Sequence, residues 1–296
     1  MSTHAASVGT RPADWLAGAR PRTLPIAVIP VAVGTAVAGA VGHVVWWRTG
    51  LALVVSLAIQ VGTNYANDYS DGVRGADAVR VGPVRLVASG LAPASAVKRA
   101  AFLSFAVAAV AGLFLALATS PYLIAVGAAC VAAGWFYTGG PRPYGYAGLG
   151  EAFVFVFFGL VAVVGTAYVS LQKVSTLAIV AAVPVGLIAV ALLVVNNLRD
   201  LDNDARAGKK TLAVRLGGGR TRAMYEACIV AAFLGVVAVA YYRRGALVAL
   251  AAALFGAGPV LKVHRGAADG DLIGVLQMTS RLDIVLGLLL AIGIAL

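Results

Sequence analysis

The chain is poor in charge. Only 12% of its 296 residues are Asp, Glu, Lys or Arg, against 61% hydrophobic, and the mean hydropathy is +0.92. A soluble globular domain carries about twice that share of charge, so the composition excludes one and implies a polytopic membrane protein. Cysteine is almost absent. Cys130 and Cys228 lie far apart inside apolar runs, which argues against a disulfide or thiolate metal site and reads as two small buried hydrophobes. No cleavable signal peptide is expected, because the first twenty-odd residues are polar and small and the first apolar run continues into a full span. Acidic residues are scarce, 12 against 23 basic, for a net charge of +11. On a soluble protein that surplus would raise nucleic-acid binding. Here the basic residues flank apolar runs, so topology and anionic lipid or phosphate account for them, and no nucleic-acid partner is expected.

What the chain has in abundance is apolar runs. Spans are expected at about residues 23–47, 51–68, 97–119, 122–137, 151–171, 176–197, 224–242, 245–263 and 272–296, each near the ~20 residues a bilayer requires. The expected fold is all-α and membrane-embedded: a polar N-terminal arm over residues 1–22, then one nine-helix transmembrane domain over 23–296. The 35 glycines suit close helix packing in lipid. Trp15, Arg20 and Arg22 read as an interfacial anchor, and His43 and His264, near span ends, as interfacial residues. With nine spans, 19 of the 23 basic residues share the side of the N-terminus, leaving Arg48, Lys173, Arg243 and Arg244 for the other. The positive-inside rule then places the N-terminus in the cytoplasm.

Six of the twelve acidic residues lie in two clusters, each closing an apolar run: Asn64-Tyr-Ala-Asn67-Asp68-Tyr-Ser-Asp71 on to Asp77, and Asn196-Asn197-Leu-Arg199-Asp200-Leu-Asp202-Asn-Asp204. On a helix, Asn64, Asp68 and Asp71 share one face, as do Asn197, Asp200 and Asp204, whereas Asp202 has the wrong phase and is expected in water. Either cluster alone reads as a solvated, negatively charged helix end. Two of matching design, on one side of the membrane and each beside basic residues, point instead to Mg²⁺ held between carboxylates and substrate phosphates. The spans around them offer an apolar interior for a hydrocarbon tail. A lipid-tailed diphosphate satisfies both halves. Ionising its allylic C–O bond needs a stabilised leaving group and a dry pocket.

These residues carry a resemblance. Asn67-Asp68-Tyr-Ser-Asp71 and Asp200-Leu-Asp-Asn-Asp204 resemble the paired aspartate-rich motifs of the UbiA superfamily of intramembrane prenyltransferases. Within it the chain looks like the MenA type, which prenylates 1,4-dihydroxy-2-naphthoate in menaquinone synthesis. Also matching are Ala19 to Pro25, Gly82 to Gly90, Tyr137 to Glu151 and Asn196 to Leu216, so the resemblance spans about residues 15–296. It departs at one point. The first motif often carries a further aspartate where Gly75 stands here; the next carboxylate is Asp77.

The resemblance implies a UbiA-like nine-helix bundle in the cell membrane, with its active site facing the cytoplasm. It implies a Mg²⁺-dependent transfer of a polyprenyl group from polyprenyl diphosphate to 1,4-dihydroxy-2-naphthoate, releasing diphosphate and CO₂ and giving demethylmenaquinone. Asp68, Asp71, Asp200 and Asp204 would hold the metal, helped by Asn64, Asn67 and Asn197. Arg142, Lys209 and Lys210 would grip the diphosphate, and Arg80 and Arg85 would receive the acceptor's carboxylate or serve only topology. Glu151 reads equally as a base near the acceptor or as a helix N-terminal charge. Tyr144, with Tyr65, Tyr69, Tyr137 and Tyr146, would face a cation or form an interfacial belt. Other acceptors of the superfamily (4-hydroxybenzoate, haem, phosphoribosyl diphosphate), a cation transporter and a homo-oligomer stay open at this stage.

Overall fold

The computed structural model describes residues 10–75 and 85–296, and what it describes is helical. A short helix α1 (Pro12–Ala19) leads through a 3-10 turn at Pro21–Thr23 into α2 (Pro25–Val41). There follow α3 (Trp46–Val73), α4 (Ala94–Ala118), α5 (Tyr122–Phe136), α6 (Gly150–Leu171) and α7 (Thr176–Arg199). The chain closes with the short α8 (Leu201–Arg206), then α9 (Leu212–Tyr242), α10 (Arg244–His264) and α11 (Asp271–Ala295).

Among the described residues seven helices are long and apolar enough to cross a membrane, or eight if the stretch Pro12–Thr23 and α2, bent by 51°, count as one. The fourth expected span is α5, of 15 residues, about 22 Å at 1.5 Å per residue against a hydrocarbon core of about 30 Å. Residues 10–22, expected as an arm, are folded against the bundle. The Tyr65 hydroxyl donates to the Trp15 carbonyl at 2.8 Å, and Gly18 packs against Leu86 and Tyr65 so closely that a Cβ there would overlap Leu86. Gly75 ends α3 with a φ of +71°. Glycine adopts that conformation without strain and aspartate does not, so the departure from the family motif coincides with a helix stop.

The main core gathers the buried faces of α2, α6, α7, α9, α10 and α11, with residues such as Val33, Val163, Ile188, Ile229 and Leu286. A smaller core of Tyr65, Ala66, Leu86, Val97 and Phe105 joins α3 to α4. Helix α7 is the most enclosed span, which its nearly all-round apolar sequence requires. Two of the four basic residues at the opposite end of the bundle are fastened to helix ends. Arg48 donates to the carbonyls of Val169 and Ala118 at 3.0 and 3.1 Å, and Arg243 donates to the Ala40 carbonyl. They satisfy C-terminal carbonyls that lipid would leave unpaired.

Candidate active site

Helix α3 carries the first acidic cluster on its last turns, and the break between α7 and α8 carries the second. The two ends converge on a polar cavity of about 80 Å³ lined by Arg20, Asn67, Asp71, Arg85, Tyr137, Thr138, Tyr146, Asn196, Asn197, Asp200, Asn203, Asp204 and Lys209, among others. Among the described residues three carboxylates and three cationic side chains line it. The centre of the network is Lys209, whose Nζ stands 3.2 Å from Asp71 Oδ1 and 3.4 Å from Asp204 Oδ1. Its ammonium also lies 4.7 Å from the centre of the Tyr146 ring, within cation–π range. The Tyr146 hydroxyl donates to Asp71, while Arg74 covers the Tyr146 ring and donates to the carbonyls of Thr138 and Gly140. Burial pushes the Asp204 carboxyl above its usual range against the opposing pull of Lys209. Burial and then the charge of Asp71 push the Tyr146 phenol up, which keeps it a donor. Asp200 is held by a bidentate pair from Arg199, with both contacts at 2.7 Å.

A second, apolar cavity of about 330 Å³ runs from this site into the bundle between α2, α3, α5, α6 and α7. Arg20, Asn67, Tyr137 and Asn196 line both cavities and so mark their junction. An aromatic wall descends from that junction: Tyr137 meets Tyr144 edge-on at 5.5 Å, Tyr144 stacks on Phe153 at 4.0 Å, and Phe153 lies 5.9 Å from Phe157. Phe153, Phe157, Phe158 and Val161 line the cavity, and α6 widens into a π-helical turn at Phe155–Val161. Such turns are frequent at functional sites.

The structure sorts the expected residues. Asp71, Asp200, Asp204, Asn67, Asn197, Arg85 and Lys209 line the polar cavity. Asp68 does not. Its two oxygens accept the backbone N–H groups of Leu86 and Val87 at 2.9 and 3.0 Å, so it holds the segment that carries Arg85. Three residues on a helix turn the side chain by about 60° short of a full circle, enough to send Asp68 and Asp71 to different neighbours. Asn64 and Tyr144 line the apolar cavity; Asn64 donates to the Ala19 carbonyl at 2.9 Å and Tyr144 to the Ala133 carbonyl at 2.8 Å. Glu151 is buried and accepts from Asn197 at 2.9 Å but lines neither cavity. Arg142 and Lys210 are exposed and line neither, and Asp202 is exposed as expected. Arg80 and Asp77 lie outside the described residues.

Sequence reasoning missed Arg20 as a site residue. Its backbone holds a φ of +54°, uncommon for a residue with a Cβ, and its guanidinium reaches the Asn64 carbonyl at 3.5 Å, over the junction. The kink at Arg20-Pro21 was the available signal, since proline ends α1 there and turns the chain back toward α3.

A metal fits the donor chemistry. Carboxylate oxygens of Asp71 and Asp204 already converge on one cation, the Lys209 ammonium. Among the described residues no three acidic, imidazole or thiolate groups form a closed cage. Any ion held by Asp71 and Asp204 would therefore complete its shell with water and substrate phosphate, as Mg²⁺ commonly does.

Comparison with known proteins shows what the chain and its fold are similar to. Residues 27–272 match the sequence model of the UbiA prenyltransferase family. A 1,4-dihydroxy-2-naphthoate octaprenyltransferase of Mycobacterium tuberculosis is 50% identical over 287 residues, 96% of this chain and 97% of the relative. Among solved structures, an apo UbiA homolog from Aeropyrum pernix superposes with a TM-score of 0.70 at 16% identity, covering 90% of this chain and 97% of that one. A UbiA homolog from Archaeoglobus fulgidus bound to GPP and Mg²⁺ superposes with a TM-score of 0.64 at 15% identity, covering 93% and 99%.

Proposed function

The chain belongs to the UbiA prenyltransferase family, and we propose that it transfers a polyprenyl group from polyprenyl diphosphate to 1,4-dihydroxy-2-naphthoate. The products are diphosphate, CO₂ and the quinol form of demethylmenaquinone, a step of menaquinone synthesis. A separate two-electron oxidation outside this reaction converts that quinol to the quinone. The observation that carries this reading is the junction itself: a polar cavity lined by carboxylates and cations, opening at four residues into an apolar one. The acceptor is supported by the half-identical relative, aligned along nearly its whole length.

The diphosphate head sits among Arg20, Arg85 and Lys209, and the tail follows the aromatic wall into the apolar cavity. Asp71 and Asp204, with Asp200 beside them, would hold Mg²⁺. Magnesium, when bound, neutralises charge on the departing diphosphate. The reactive carbon then lies at the junction, where the ring face of Tyr137 stabilises allylic positive charge and the apolar walls exclude water. The acceptor's ring carbon bearing the carboxylate attacks, a C–C bond forms, and the carboxylate leaves as CO₂, returning its electron pair to the ring. No ring proton has to be removed, so the reaction does not call for Glu151 as a base. Glu151 instead orients Asn197 at the cavity edge.

The seven long spans, the bent pair and α5 together support nine crossings, with the N-terminus and site on the cytoplasmic face of the cell membrane. The test is prenyl transfer by purified protein in detergent, with 1,4-dihydroxy-2-naphthoate or 4-hydroxybenzoate, with Mg²⁺ or EDTA, for wild type and Asp71→Asn. Product from the naphthoate, dependent on Mg²⁺ and reduced at least ~100-fold in the variant, is expected. Product with EDTA present, or transfer only to the benzoate, would overturn the metal or the acceptor respectively.

A further inference from the structure

Lys209 stands between the two carboxylates proposed above as metal ligands. These carboxylates, one from α3 and one from α8, come together in a partly enclosed cavity, and like charges at such range repel. A buried ammonium lies between them, in contact with both. Its backbone is fixed on either side. Gly208 takes a φ of +73°, the Lys209 N–H donates to the Asp204 carbonyl at 2.9 Å, and the Lys210 N–H donates to the Tyr146 carbonyl at 2.9 Å. Only the side chain is left to move, and rotation about its own bonds suffices to withdraw the ammonium from the carboxylates.

We propose that Lys209 is the resident counter-cation of this site: it occupies the place between Asp71 and Asp204 while substrate is absent, and yields it to the divalent ion that arrives with a diphosphate. The inference rests on the assignment of Asp71 and Asp204 as metal ligands and adds a role that phosphate binding alone does not give to a lysine. Before substrate arrives, a free divalent ion must displace a covalently tethered competitor and binds weakly. Once a diphosphate is present, the displaced ammonium gains phosphate oxygens in exchange for carboxylate oxygens, and the competition is relieved. Lys209 thereby makes metal binding conditional on the diphosphate. It also keeps the two motif-bearing ends of the bundle together in the interval, through a contact that no other described cation makes to both carboxylates.

Mn²⁺ serves as the probe, its free concentration followed by electron paramagnetic resonance in titrations of detergent-purified wild type, Lys209→Met and Lys209→Arg. Without diphosphate, Lys209→Met is expected to bind Mn²⁺ about tenfold more tightly than wild type, one such factor being what ~1.4 kcal/mol of lost competition provides. Inorganic diphosphate is expected to narrow that gap. In EDTA, Lys209→Met should unfold about 4 °C or more below wild type and recover with Mn²⁺, whereas Lys209→Arg, which keeps the charge, should track wild type. Equal or weaker Mn²⁺ binding by a folded Lys209→Met, or an unfolding temperature in EDTA that the charge loss leaves unmoved, would overturn the proposal while leaving the metal ligands standing. Absence of Mn²⁺ uptake by all three proteins with diphosphate present would overturn the ligand assignment itself, and this role with it.

Discussion

Asp68 and Asp71 share a motif, a helix and a turn, yet they do different work. Asp71 faces Lys209 and Tyr146 in the polar cavity, whereas Asp68 receives two backbone N–H groups from Leu86 and Val87. Asp68→Asn replaces one of those acceptors with an NH₂ group and leaves a buried donor unpaired, a loss of about 1–3 kcal/mol. At this chain length that lowers the unfolding midpoint by roughly 2–10 °C. Asp71→Asn should abolish transfer with a smaller thermal shift, as it keeps an acceptor for Tyr146. Thermal unfolding in EDTA separates the two, and a larger drop for Asp71→Asn would refute the division. Spacing in the chain showed that both residues belong near the site. It did not show which one meets the second cluster, because that depends on a segment 18 residues downstream folding back over Asp68.

At the scale of elements, the site depends on α6 lying close against α7. A Cβ added to Gly159 would stand 2.8 Å from the Gly186 Cα and 3.1 Å from the Ala182 carbonyl oxygen. Gly159→Ala should therefore cost about 1–3 kcal/mol through overpacking and displace the aromatic wall that α6 presents. On α11, Gly274 has nothing within 4 Å of an added Cβ. Gly274→Ala should be neutral or gain up to ~1 kcal/mol from helix propensity. Melting curves of the two variants check the pair, and equal shifts would show that the close approach does not bear on stability. Much of the helical pattern was legible, since each of the seven helices long and apolar enough to cross a membrane overlaps an expected run, whereas the short α1 and α8 lie outside all of them. The π-helical turn within α6 was not legible. A segment apolar on every side has no periodicity to betray a widened turn, and the turn is stabilised by packing against α7 instead.

For the whole molecule, orientation follows from charge. Arg48 and Arg243 stand among the few basic residues at the end of the bundle away from the site, and both guanidiniums are engaged by helix-terminal carbonyls. Many basic residues at the site's end are engaged as well, among them Arg74, Arg199 and Arg222, so the proposed cytoplasmic placement of the site rests on the count of residues. The nine crossings proposed above would put the two chain ends on opposite faces. Alkaline phosphatase fused after Leu296 should be active outside the cytoplasm, and the same reporter inserted between α10 and α11 should be silent. An inactive C-terminal fusion would mean an even number of crossings and would remove α5 or the bent pair from the count.

The sequence by itself determined the solvent, the helical class and the two carboxylate clusters, because hydropathy and helical phase are properties of neighbours in the chain. Only the tertiary structure decided which charges meet. Asp71, Tyr146 and the Asp204–Lys209 pair come from three separate stretches, and no local periodicity relates positions so far apart. Their convergence is set by how α3, α7 and the turn after α5 pack against one another. Packing drew Arg20 into the junction, kept Arg142 and Lys210 outside it, turned Asp68 to the backbone and placed an ammonium between two carboxylates.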